Sequence, residues 1–135
     1  MGSLNKTTAQ VNAALDAAIV YRLGYALSDQ STDITTGVKL TDRVTEAFIL
    51  DSVVGSLAVA ATGALFTVNI KKNGATIFST KPTFNSGSAT TVGATTPSVL
   101  SVAAFAVGDI LEFSVDLVGV TVAGKGLIIK LIGHK

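Results

Sequence analysis

The chain has 135 residues, of which 48% are hydrophobic and only 14% charged, with a formal net charge of +1. One domain is the natural size class, and a chain this long buries roughly two-thirds of the surface its unfolded form exposes. It therefore needs no disulfide or metal staple, and with no cysteine it can form neither a disulfide nor a thiolate metal site.

The ten basic residues are scattered, and Lys71-Lys72 is the only adjacent pair. Nucleic acid binding needs a basic stripe, so no nucleic acid is expected as a partner. Ser and Thr together supply 28 residues, so hydroxyls more than ions solubilise the surface. A monomer this poor in charge would show large apolar patches, which favours a homo-oligomer.

Thr7 followed by Gln10 matches a capping box, in which hydroxyl and amide satisfy free N–H groups of a first helical turn. Val11, Ala14, Leu15, Ala18 and Ile19 then recur at i, i+3, i+4, i+7 and i+8 and share one face. The pattern predicts a single short helix over Thr7 to Ile19. A helix of this length is marginal alone, so it must dock on its own domain or on copies of itself. Residues 1–24 read as a helical anchor or oligomerisation segment, and 25–135 as a β-sandwich.

From Tyr21 to Ser28 the pattern loosens, with Gly24 as a breaker. Ser28 to Asp33 reads as a loop and Thr35-Thr36-Gly37 as a turn. Val38, Leu40 and Val44 open the sheet, and Phe48, Leu50, Val53-Val54, Leu57 and Val59 continue it. Ser52 to Ile70 carries no charge and has about the length of a membrane-spanning helix. Its Gly, Ser, Thr and Asn residues dilute it, and its second half alternates like a strand, so no membrane insertion is expected.

Phe66, Val68 and Ile70 alternate with Thr67, Asn69 and Lys71, the period of a strand with one buried face. Asn73-Gly74 is a type I′ hairpin signal, because both residues tolerate positive φ. Thr76 to Thr80 reads as the return strand, closed by Pro82. Val99 to Phe105 reads as one further strand, and Val107-Gly108-Asp109 as a turn. Leu111, Phe113, Val115 and Leu117 alternate with Glu112, Ser114 and Asp116 in a second clean strand. Leu127 to Ile132 is almost wholly apolar, which predicts a central strand buried on both faces. Short strands at this spacing point to a sandwich or barrel.

No catalytic, cofactor-binding or metal-ligating set emerges from these residues. Gly119 to Lys125 fits the first seven positions of a phosphate-binding loop, but Gly126 stands where Ser or Thr must hold magnesium, and a strand pattern follows instead of a helix. His134 is the only imidazole and reads as an exposed tail residue. Asp29 and Asp33 read as loop acids capping turns. Glu112 and Asp116 read as a solvated strand face. The phenylalanines Phe48, Phe66, Phe78, Phe84, Phe105 and Phe113 read as core. Tyr21 and Tyr25 are the freer aromatics, and either bind a ligand or pack the helix and sheet or neighbouring subunits.

Ala26 to Gly37, the hairpin Phe66 to Lys81 and the closing Val122 to Gly133 together resemble small tailed-bacteriophage virion proteins. The similarity is to the β-sandwich modules of fibres, spikes and capsid decorations. Thr7 to Ala17 is similar to short helical segments that precede such modules. Phe105 to Phe113 is similar to the turn-into-strand of tumour-necrosis-factor-like trimeric jelly rolls. The resemblance implies a homotrimer located in the virion, with other virion proteins such as capsid or fibre subunits as partners and no enzymatic activity. It supplies no functional residues. The expectation is a mostly-β, antiparallel, jelly-roll-like sandwich with one N-terminal helix, serving as a capsid decoration, head fibre or small fibre module. The rival expectation is a receptor- or glycan-binding module of a tail fibre or spike, with a host-surface glycan as partner.

Overall fold

A computed structural model describes residues 20–135, so the predicted helix of Thr7 to Ile19 and its face of Val11, Ala14, Leu15, Ala18 and Ile19 lie outside the described residues. The described residues are all-β and antiparallel. Eleven strands are formed: β1 (Val20–Ala26), β2 (Lys39–Arg43), β3 (Phe48–Ser56), β4 (Phe66–Lys72), β5 (Ala75–Thr76), β6 (Phe78–Thr80), β7 (Thr83–Phe84), β8 (Val99–Leu100), β9 (Ala104–Phe105), β10 (Ile110–Leu117) and β11 (Ile128–His134).

One sheet has the order β1-β11-β3-β9, and the other the order β2-β10-β4-β5, with β7 also on β4. A small third sheet pairs β6 with β8. The chain crosses between the two main sheets at each step from β1 to β4. Both contribute to a single apolar cluster, in which Phe66, Ile70, Phe84, Leu111, Phe113, Leu127 and Ile129 are fully buried. All six phenylalanines expected in the core are there.

The two strands with the cleanest alternation pair with each other. β10 runs against β4 from Leu111↔Lys72 to Leu117↔Thr67, with a bulge at Asp116. Asn73 and Gly74 adopt φ of 50° and 89°, the double positive φ of the expected hairpin turn.

Four local expectations change. Gly24 does not break the chain: β1 runs through it, with Tyr21, Leu23 and Tyr25 turned inward and Val20, Arg22, Gly24 and Ala26 outward. An extended backbone accepts glycine, and the period-two pattern of its neighbours decides. The return strand of Thr76 to Thr80 is split. Ile77 N–H still bonds Ile70 O at 3.0 Å, but Phe78 then leaves β4 to pair with Leu100. The Val99 to Phe105 strand is also split, because Ser101 and Val102 both donate to Ile77 O, and β8 and β9 fall in different sheets. Finally, β11 is central, between β1 and β3, but buried on one face only: Ile129 and Leu131 point inward while Lys130 is exposed and Ile128 and Ile132 are half-buried.

Candidate functional site

Ser56, Ile128 and Ala26 lie at one end of the β1-β11-β3 sheet, and Val20, His134 and Ile49 at the other. β1 begins at the second end, at Val20. At the first end three segments without ionisable side chains, 57–65, 82–97 and 117–124, lie beside the loop of residues 27–38, which carries Asp29 and Asp33.

Backbone hydrogen bonds knit these loops together. Thr62 N–H bonds Val122 O at 3.0 Å, and Val120 N–H bonds Thr62 O at 2.9 Å. Leu57 N–H bonds Ala89 O at 2.9 Å, Gly87 N–H bonds Ala61 O at 2.8 Å, and Gly63 N–H bonds Ser86 Oγ at 3.0 Å. Gly63 has a φ of 88°, and a Cβ there would lie 2.5 Å from Thr121 Oγ1, so glycine is needed twice over. The loops are thus fastened, and the side chains they hold outward are apolar. Val120 is 80% exposed, Val92 67%, Leu117 55% and Leu65 46%. Val59 and Val122 are exposed beside them. Scattered exposed valines are ordinary, but fastened segments without ionisable side chains that bear six such residues are the kind of surface that meets a partner.

Charged pairs border these segments and also gather at the far end. At the opposite end Asp109 accepts from Ala106 N–H at 2.8 Å and Asn73 Nδ2 at 3.0 Å, with Lys72 Nζ 3.5 Å away. These contacts, the Ala106 amide foremost, hold its carboxyl below the usual range. Lys72 Nζ also donates to Ala104 O at 2.8 Å. Lys135 pairs with Glu46 there. Lys81 bonds Asp116 at 2.5 Å beside the start of β4.

The residues singled out from sequence are placed as follows. Tyr21 and Tyr25 share the inward face of β1, not a helix face. Tyr21 lies 4.8 Å from the Phe48 ring, with Lys135 Nζ over its other side at 4.8 Å. Tyr25 lies 4.4 Å from the Phe113 ring of the facing sheet, and its hydroxyl donates to Asp42 at 2.8 Å. Both therefore pack between strands and sheets. Burial, then the Asp42 carboxylate, raise the Tyr25 hydroxyl's pKa well above its ordinary value.

His134 is not a free tail residue: it is paired within β11, with Nδ1 2.9 Å from Asp51. Asp29 caps its own loop, accepting from Ser31 N–H at 2.9 Å and Thr32 N–H at 2.7 Å, which holds its carboxyl below the usual range. Asp33 stands 3.6 Å from Lys125. Gly119 to Lys125 forms part of the fastened loops, and β11 follows it. Glu112 and Asp116 share the outward side of β10, where Asp116 is held by Lys81. Among the described residues no group of three His, Asp or Glu side chains could hold a metal, and no helix is long and apolar enough to cross a membrane.

Sequence reading missed this apolar loop cluster as a unit. The run Ser52 to Ile70 was a visible trace of it, but its other two segments join it only through the fold. No protein-family model, curated protein or solved structure matches the chain.

Proposed function

We propose that this protein is a non-enzymatic structural component of a bacteriophage virion, a trimeric capsid-decoration, head-fibre or small fibre module. One observation carries this reading. The segments 57–65, 82–97 and 117–124 are fastened to one another and present six exposed apolar side chains, with the pairs Lys81–Asp116 and Lys125–Asp33 at their border, while β1 begins at the opposite end. A two-ended module attaches through one end and meets copies or other virion proteins through the other. The helix face of Val11, Ala14, Leu15, Ala18 and Ile19 supplies the anchoring or trimerising element.

The strand orders add support. Alternation of the chain between sheets β1-β11-β3-β9 and β2-β10-β4-β5, with β7 also on β4, supports a jelly-roll reading. That architecture agrees with the resemblance of Phe105 to Phe113 to trimeric jelly rolls.

Light scattering after size-exclusion chromatography tests the assignment. The full chain at micromolar concentration is expected as a trimer. Val120→Asp, at a side chain 80% exposed, is expected to fold normally yet to lose higher assembly or attachment to its particle. A strict monomer whose behaviour Val120→Asp does not alter overturns the proposal.

A second reading, recognition of a host-surface glycan, is favoured by a different feature, a hollow on the β1-β11 surface.

A further inference from the structure

Gly24 sits in the middle of β1. Glycine weakens a strand interior, and its presence there marks a bulge, a tight bend or a place where something approaches closely. No internal reason holds for Gly24. Pairing of β1 with β11 runs unbroken from Val20↔His134 to Ala26↔Ile128. Gly24 is not among the positive-φ residues, and a Cβ on it would meet nothing within 4 Å.

Gly24 lines an open hollow of about 430 Å³ across β1 and β11. Its outward-facing borders are Arg22, Lys130 and Ile132. Arg22 stands opposite Ile132, and Gly24 opposite Lys130, so the two cations are diagonal neighbours flanking the gap. Among the described residues neither cation enters an ion pair. The acid on the outward side of the next strand, Asp51, is held by His134 at 2.9 Å.

We infer that this hollow binds a saccharide unit bearing a carboxylate. The Arg22 guanidinium presents a fork that matches a carboxylate, and Lys130 adds a second positive charge. Ile132 offers an apolar surface to the C–H face of a sugar ring. The volume falls within the range of small-ligand sites. The inference deepens the glycan-recognition reading and is independent of the assembly reading.

Backbone-amide NMR titration of the full chain tests it, with D-glucuronate, D-glucose and acetate as probes. Glucuronate is expected to give saturable shifts at Gly24, Lys130 and Ile132. Glucose, lacking the charge, and acetate, lacking the ring, are each expected to bind at least about tenfold more weakly. Arg22→Gln and Lys130→Gln are each expected to weaken glucuronate by about tenfold. Gly24→Val fills the hollow with a residue that suits a strand, so binding is lost while Tm holds or rises. Three results overturn the inference: no saturable shift with glucuronate, equal binding of glucose or acetate, or a Gly24→Val chain that binds like the wild type. Light scattering on the same samples reports assembly separately, so failure of one reading is not mistaken for failure of the other.

Discussion

The ring of Phe84 occupies the space that any side chain on Gly55 would need: a Cβ at Gly55 would lie 2.7 Å from Phe84 Cζ and 3.2 Å from its Cε1. Gly55 belongs to β3 and Phe84 to β7, so this contact fixes how closely the two main sheets approach. Phe84 cannot yield easily, because Phe66 holds it edge-on with ring centroids 5.3 Å apart. Gly55→Ala is therefore expected to destabilise the fold by about 1–3 kcal/mol, the usual cost of overpacking a filled core. Phe84→Leu creates room, so the double variant should be less destabilised than the sum of the singles by at least ~0.5 kcal/mol. Urea unfolding of the four chains measures this, and additive losses would contradict the proposed contact.

Turn chemistry gives a second expectation. Gly74 adopts a φ of 89° with open space around it, so strain and not a clash opposes a side chain there. Gly74→Ala is expected to cost about 1–2 kcal/mol, with the loss appearing as reduced hydrogen-exchange protection at the β4–β5 turn.

How much of this was legible before folding depends on whether local periodicity or long-range pairing decides each element. Phe66 to Lys72 and Ile110 to Leu117 were legible because apolar and polar residues alternate along each, although Thr67, Asn69 and Ser114 on the polar face are buried as well. Asn73-Gly74 was legible because only a few residues accept two successive positive φ values. The break after Ile77 was not, because nothing in Thr76 to Thr80 announces that Leu100 will claim Phe78. Tyr21 to Ala26 was obscured by Gly24, whose neighbours alternate correctly but whose type argues against a strand. The apolar loop cluster lay furthest from view. It exists only after Ala61 accepts from Gly87 and Thr62 accepts from Val120, contacts that join distant segments.

Asp109 and Asp29 set the acid limb of stability. Each carboxyl is held below its ordinary value of 3.8, Asp109 mainly by the Ala106 N–H and Asp29 mainly by the Ser31 N–H. An acid so depressed favours the folded state when ionised. Its contribution is present above the ordinary value and disappears as pH falls through the folded one. Tm is thus expected to drop below pH 3.8, and Asp109→Asn should make that drop shallower. An unchanged acid limb in Asp109→Asn would show that the Ala106 and Asn73 contacts do not stabilise the ionised form.

The alkaline limb belongs in part to Tyr25. Its hydroxyl is raised above its ordinary value of 10.0, first by burial and then by Asp42. The folded state holds that proton more tightly than the unfolded chain, so this contribution is complete below pH 10.0 and is lost as pH climbs beyond it. Tyr25→Phe is expected to reduce the loss of Tm above that pH. Absorbance at the phenolate band should show Tyr25 ionising together with unfolding and not before it.

The insertion of β11 between β1 and β3 orders events during synthesis. Among the described residues, 20–26 pair only with 128–134, about a hundred positions later. Pairings so distant make for slow closure. Until the last strand is synthesised, β1 and β3 lack the element that joins them, and the edges it will cover are open to wrong pairing.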